Sequence, residues 1–566
     1  MGFPMVRPSA FPSDNIHAAC CEVKSEPPRD RVFALPTSIR KTSRALLIVV
    51  AASLLHGCAS GGPSGPLTLN QTGTALTSLS SDGYAVGQGN VYLFQNTDCP
   101  KFVAVFASCF GNNAAAPYVI PQPPVQTAYN DPYTAVPFNA SGPNGVTANI
   151  FYRLSDTDAL VTAVQYPPTG AYFGYQSYLF TGATSNYPQP DPQQVVSPNP
   201  SRFEIFGSLG NDVNNIIVQN QSGVAPWNGQ IITYVTTSNQ VLANDIVAQL
   251  TARGIDPKSI IIEKIGSNVR TGTTQASDDL ITLMRYALPA DQAAANTWYS
   301  SIASHVLVYK VSKAAISVTR YPANLYTPRT GTDETQLTTA LNELVSLLQG
   351  WSTSNYVPGS LSAVSVSSFA RTVVDVNGIP HGLAGADCIS KGSICAGDNQ
   401  DTSTYAFSPN FALSSNSILF VAGVDHNQAS NSSYISLAIY NAKESAGVAS
   451  SSQSNFSAVG FNSGSLTGSD SAIGSAQAVL QALGLYSAAS PVLKAALPKL
   501  YVSLVSKSCT IAVPYCINLN GNTLIPDTIP ATPINMYERS YLRPGDTTAA
   551  DTNVMVYPQI IGPGKQ

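Results

Sequence analysis

Charge is scarce in this chain. Asp, Glu, Lys and Arg make up 11% of its 566 residues, against about 25% in an average soluble protein. Beyond residue 57 the balance is 21 Lys/Arg to 28 Asp/Glu, a formal charge of −7 over 58–566. That speaks against nucleic acid as a partner, because phosphate binding needs basic clusters. Histidine is scarcer still. Only His305, His381 and His426 follow the first 57 residues, which limits the places where a general base can stand. Long apolar runs are missing too. Ala45 to Leu55 is an apolar or small run of eleven residues, and a bilayer-spanning helix needs about 20. No C-x-x-C occurs and no histidine lies at finger spacing, so no zinc, other metal or cofactor is expected. No G-x-S-x-G elbow is present.

Ser, Thr, Asn, Gln, Gly and Pro take the place of charge. Such composition suits exported, β-rich proteins. The 509 residues of 58–566 are ample for two to four domains. Six cysteines follow Cys58 in three close pairs: Cys99 and Cys109, Cys388 and Cys395, Cys509 and Cys516. The simplest pairing gives three short-loop disulfides, which fits an oxidising compartment.

A basic cluster (Arg40, Lys41, Arg44) precedes the apolar run, which ends at His56-Gly57-Cys58. This is the order of an export signal. Leu55, Gly57 and Cys58 resemble the lipobox of bacterial lipoproteins, and His56 departs from it. The resemblance implies that Cys58 carries the lipid and begins the mature chain. Ala59 after the cysteine implies transport to the outer membrane. Residues 1–57 are thus expected to be leader and signal peptide, and 58–88 a flexible tether.

From Asn90 the pattern turns to strand. Residues 91–94, 102–106, 146–154, 159–166 and 171–180 read as strands within a β-rich domain, 89–190. Phe173, Tyr175 and Leu179 fall on one face of the last and Tyr172 and Tyr178 on the other, which predicts cover on both sides. The Pro-rich stretch 186–200 reads as a boundary. An α/β segment, 201–350, follows. Strand 230–235, a helix ended by Gly254 and strand 260–265 form a βαβ unit. Helices are expected over 277–288 and 290–303, a strand over 305–312, and a helix from Thr332 to Leu348. The third region, 351–566, returns to β. Strands 418–424 and 434–440 read as a long hairpin, a helix starts near Ala472, and 514–566 reads as an extended tail. No internal repeat stands out. The expected class is β-rich α+β, with antiparallel sandwich-like domains flanking a smaller α/β segment.

Three constellations could carry chemistry. Asp425-His426-Asn427 occupies the expected hairpin tip, where a His/Asp pair could act as acid and base or hold a ligand. The alternative is turn chemistry with a solvated histidine. F-G-S-L-G-N-D at 206–212 resembles the G-D-S-L serine esterases around Ser208, but the acid before the serine is missing. So is an Asp three residues before any histidine. G-D-N-Q-D-T-S-T-Y at 397–405 resembles an N-x-D-T-x-Y signature of bacterial envelope proteins of unknown function, with one extra residue before Tyr405. The chain therefore reads as a lipid-anchored envelope protein. It is expected to bind a glycan or an envelope protein rather than to catalyse. The alternative is an ester or glycan hydrolase centred on Asp425 and His426, or on Ser208.

Overall fold

The computed structural model describes residues 67–566 except 107, 110–115, 126–135, 187–200, 210–211, 324–327, 356–363, 369–398, 414–416, 443–445, 448–459, 464–471, 510–512, 520–532 and 564–566. Cys58, residues 59–66 of the expected tether and the Cys388–Cys395 loop lie outside the described residues. The rest of that expected tether, 67–88, is not free chain: it folds into a helix (Leu69–Thr77) and a strand (Ala85–Gln88), because Leu69, Leu76 and Leu79 are buried in a core cluster. What is described is a β-rich α+β protein.

The N-terminal half supplies β1 (Ala85–Gln88), β2 (Asn90–Phe94), β3 (Tyr118–Gln122), β4 (Asp158–Gln165), β5 (Gly170–Ala183), β6 (Arg202–Ser208), β7 (Val213–Asn214), β8 (Ile231–Thr237), β9 (Ile260–Lys264), β10 (Asp279–Pro289) and β11 (Val306–Ser312). Its helices are α1 (Leu69–Thr77), α2 (Cys99–Phe106), α3 (Asn215–Ser222), α4 (Gln240–Ala252) and α5 (Gln292–Ser300). One sheet runs β1-β11-β4-β8-β9, the other β2-β3-β10-β5-β6 with β7 on β5. Their facing sides share one core of Leu160, Val164, Phe173, Tyr175, Leu179, Tyr234 and Met284. The period-2 alternation of β5 thus places its aromatics as expected, with Tyr178 turned outward against α2. Leu242, Ile246 and Leu250 of α4 pack with α1 on the far face of the first sheet. That helix starts at Asn239, whose side chain accepts from the Val241 amide at 3.0 Å. It carries the chain over to β9, which pairs parallel with β8.

Several expectations change. Residues 102–106 belong to helix α2, not a strand. Cys99, Phe102 and Phe106 make one helical stripe, and Pro100 suits a first turn. Residues 279–289 form strand β10 rather than a helix, because pairing with β3 and β5 on its two sides outweighs the helix propensity of Leu, Met and Ala. Only Thr147–Ala148 of 146–154 is strand. The Pro-rich stretch at 186–200 does not separate two folds, since β5 and β6 on either side of it pair with each other.

The C-terminal half supplies β12 (Val364–Ser368), β13 (Thr402–Phe407), β14 (Ile418–Val424), β15 (Tyr434–Asn441), β16 (Ala446–Gly447), β17 (Gly460–Ser463), β18 (Leu500–Ser506), β19 (Cys516–Asn518), β20 (Pro533–Tyr541) and β21 (Gln559–Pro563), with helices α6 (Thr338–Asn355), α7 (Ser475–Ala482) and α8 (Pro491–Ala496). One sheet runs β12-β21-β14-β18-β19, the other β13-β20-β15-β16 with β17 on β15. The expected hairpin is absent: β14 and β15 lie in different sheets. The expected tail is also replaced, because β20 and β21 are interior strands of the two sheets.

These orders repeat those of the N-terminal half. Strands β1, β3–β11 map in chain order onto β12–β21, with the same neighbours and the same directions, including the parallel pair β8-β9 and β18-β19. The internal repeat missed in the sequence is thus a repeat of strand skeleton. A trace remains in Arg285-Tyr286-Ala287-Leu288 and Arg539-Ser540-Tyr541-Leu542. Leu288 and Leu542 both adopt left-handed backbone, at φ 48° and 42°. Ala287 and Tyr541 before them pair with Tyr172 and Tyr434, respectively. These residues meet at the junction of the halves, where Tyr172, Leu288, Tyr434, Tyr541 and Leu542 form a shared apolar cluster.

Two of the expected disulfides are present. Cys99–Cys109 fastens α2, and Cys509–Cys516 closes the loop before β19, with Cα separations of 5.4 and 6.0 Å. Such short loops contribute about 2–3 kcal/mol each on the chain-entropy account.

Candidate functional site

The D-H-N segment lies in the crossing from β14 to β15. Asp425 and His426 are both 0% exposed, so the solvated tip expected from the sequence is not what forms. His426 Nδ1 is 2.9 Å from both carboxylate oxygens of Glu334, and Nε2 is 3.3 Å from Glu538 Oε2. Glu334 also accepts from Asn431 Nδ2 at 2.8 Å and from the Val556 amide at 2.9 Å. Tyr501 Oη donates to Glu538 Oε1 at 2.7 Å. Burial works against a charge on His426, but the two carboxylates outweigh it and raise its pKa well above the ordinary value. Glu334 is held below its ordinary value: the imidazolium and its hydrogen bonds overcome burial. Asp425 Oδ1 accepts from the Asn427 amide at 3.1 Å, and Asn427 Nδ2 donates to the Ser432 and Ser433 carbonyls. The triplet therefore fastens a turn. It ties the segment before α6 (Glu334) to both sheets (Tyr501, Glu538). The hydrogen-bonded pairs of this cluster are 37 to 112 positions apart along the chain, and no local pattern marks them.

The other two motifs meet in space. Ser208 Oγ is 3.4 Å from Asp212 Oδ1 and bonds Gln176 Nε2. The Asp401 amide donates to Asp212 Oδ2 at 3.0 Å. Tyr172 Oη donates to Asp401 Oδ2 at 2.6 Å, and Asn399 bonds the Tyr178 hydroxyl. Ser208, Asp212 and Asp401 are buried. Burial, then the neighbouring Asp401, push the Asp212 pKa well up. Among the described residues no histidine bonds Ser208. His305 instead bonds Ser301 and Gln165, each at 3.1 Å, and His381 lies outside the described residues. The G-S-L and N-Q-D-T segments thus join the two halves of the protein.

Beside this contact lies a cage of tyrosines around Arg285. Its guanidinium carbon is 4.1 Å from the Tyr541 ring centre, 5.1 Å from Tyr172 and 5.9 Å from Tyr118. Tyr434 stacks on Tyr541 at 4.3 Å. The counterpart Arg539 sits over Tyr440 and Tyr537 and donates to Tyr440 Oη at 2.5 Å.

No family model matches the chain. No curated protein matches it either. Among solved structures, a Vibrio parahaemolyticus protein is similar at 10% identity and a TM-score of 0.30, over 78% of this chain and 91% of that one. A putative uncharacterized protein from Burkholderia cenocepacia is similar at 9% identity and a TM-score of 0.30, over 82% and 85%.

Among the described residues no group of three or more His, Cys, Asp or Glu could hold a metal ion, and no helix is long and apolar enough to cross a membrane.

Proposed function

We propose that the chain is an exported lipoprotein of the outer membrane. On this reading it is anchored through lipid on Cys58 and acts as a binding or interaction module of the cell envelope, not as an enzyme. Its partner would be a glycan or another envelope protein. The signal-like segment 44–58 motivates the address. The Cys99–Cys109 and Cys509–Cys516 bridges are in keeping with an oxidising compartment.

One observation carries the non-catalytic part. His426, the best histidine for acid–base work, is enclosed with both ring nitrogens engaged by carboxylates. A general base must reach the proton it takes. The hydrolase alternative would require this cluster to open.

Two measurements test the reading. Labelled palmitate should enter the wild type and not Cys58→Ser, and Cys58→Ser should leave the membrane fraction. A hydrolase and glycan-binding screen on the purified chain should return binding without turnover. Turnover that His426→Ala abolishes, in a variant that remains folded, would overturn the non-catalytic reading.

A further inference from the structure

The repeat makes Arg285 unusual. Arg539, at the matching place in the second half, bonds a tyrosine of its own cage. Arg285 has the cage and lacks the bond. Its residue is 7% exposed, its Nε has no hydrogen-bond partner, and among the described residues no carboxylate pairs with it. A guanidinium in an aromatic cage gains cation–π attraction but leaves its N–H donors unused. Next to it, the Tyr434 hydroxyl is fully buried and also has no partner. Both groups flank the Tyr541 and Tyr172 rings. Burial disfavours ionisation of Tyr434, so its hydroxyl stays a donor, while the nearby guanidinium acts in the opposite sense. Two buried donors left open at one point is costly unless something accepts from them.

We propose that the junction of the two halves holds an oxyanion site, in which the Arg285 guanidinium and the Tyr434 hydroxyl donate to a carboxylate or phosphate group of a ligand. Oxyanions are the natural acceptors for a planar guanidinium, which they meet with charge-assisted bonds. The tyrosine faces of Tyr118, Tyr172 and Tyr541 would contact the rest of a small ligand. Asp401 lies on the other side of Tyr172, bonded to its hydroxyl. It keeps that tyrosine's donor occupied, so Tyr434 remains the available one.

The proposal deepens the binding-module reading and rests on it, yet the two fail separately. Absence of palmitate label removes the anchor and leaves the titration below unaffected. The detergent-solubilised full chain is titrated calorimetrically with acetate, succinate and inorganic phosphate at constant ionic strength, balanced with chloride. The expected result is saturable binding of one oxyanion per chain. Preference for the carboxylates or for phosphate identifies the source of the charge. Arg285→Lys and Tyr434→Phe should each weaken binding about tenfold or more. Tyr434→Phe keeps the ring and its packing, so it tests the site even if Arg285→Lys fails to fold. Absence of saturable heat with all three anions, or unchanged affinity in a folded Tyr434→Phe, overturns the site.

Discussion

The two halves share a strand skeleton and differ in what they bury inside it. The N-terminal core encloses Glu263, which accepts from the Ser177 amide and hydroxyl at 2.5 and 2.6 Å and from Thr236 Oγ1 at 2.6 Å. No cation pairs with it in those contacts. Burial therefore dominates and pushes its pKa up to about 7. The C-terminal core encloses a cation, His426, between Glu334 and Glu538. One backbone plan thus tolerates a lone acid in hydroxyl solvation and a charged cluster. What matters is that buried charge find partners, not that the partners be of one kind. The repeat is carried by register and layer, and the polar interior was free to diverge.

The largest expected difference is at the charged cluster. His426→Gln should destabilise the protein by about 3–5 kcal/mol, because two carboxylates lose their common partner inside the core. Urea unfolding followed by tyrosine and tryptophan fluorescence measures it. A loss below about 1 kcal/mol would mean that the cluster is not desolvated as described. Its pH dependence has two edges. His426 has a raised folded pKa, so its contribution is complete below the ordinary imidazole value and fades as pH rises through the folded one. Glu334 has a lowered folded pKa, so its contribution is present above the ordinary carboxyl value and fades as pH falls through the folded one.

The N-terminal core should respond to base instead. Glu263 has a folded pKa raised from 4.5 to about 7. Its contribution is complete below the ordinary value and lost as pH rises through about 7. The loss by pH 8 is about 3 kcal/mol at most. Glu263→Gln should flatten that slope while leaving the His426 edge in place. A slope unchanged in Glu263→Gln would remove the contrast between the halves.

A smaller effect probes the matched leucines. In left-handed backbone a side chain costs about 1–2 kcal/mol. At Leu288 and Leu542 the usual order should invert, with Leu→Gly less destabilising than Leu→Ala by about 1 kcal/mol at both sites. Thermal denaturation of the four variants decides it. If Ala is the better replacement at either site, the two strand ends are not equivalent. The smallest effect is Tyr434→Phe without added anion. Removing an unpartnered buried hydroxyl should leave stability within about 0.5 kcal/mol of wild type, or slightly above it.

Much of the strand content was legible because alternation shows in short runs such as A-Y-F-G-Y-Q-S-Y-L-F. The βαβ unit was legible because the Leu242/Ile246/Leu250 stripe and Gly254 mark a helix between two β-branched runs; its cap is Asn239, one residue after Ser238, which the sequence suggested. Elements were misread where pairing overrules propensity, as at 279–289, where helical spacing hides in an aromatic run, as at 102–106, and where strands pair far from their neighbours in sequence, as at 418–440 and 533–563. The repeat was invisible because matches such as Arg-x-x-Leu and the Tyr172/Tyr434 pair are few and scattered. His426, Ser208 and Asp401 stood out in the sequence. The partners of His426 did not, because Glu334 and Glu538 come from segments that meet it only through the fold.

Strands β20 and β21 occupy interior places in the two C-terminal sheets, yet they are made after all the other described strands. Until they arrive, β14 and β15 each lack a neighbour, and His426 lacks Glu538. A ribosome that stops early would release a product whose N-terminal half is whole and whose second half is split down the middle. Such a fragment would expose greasy, unpaired edges, a natural mark for proteases.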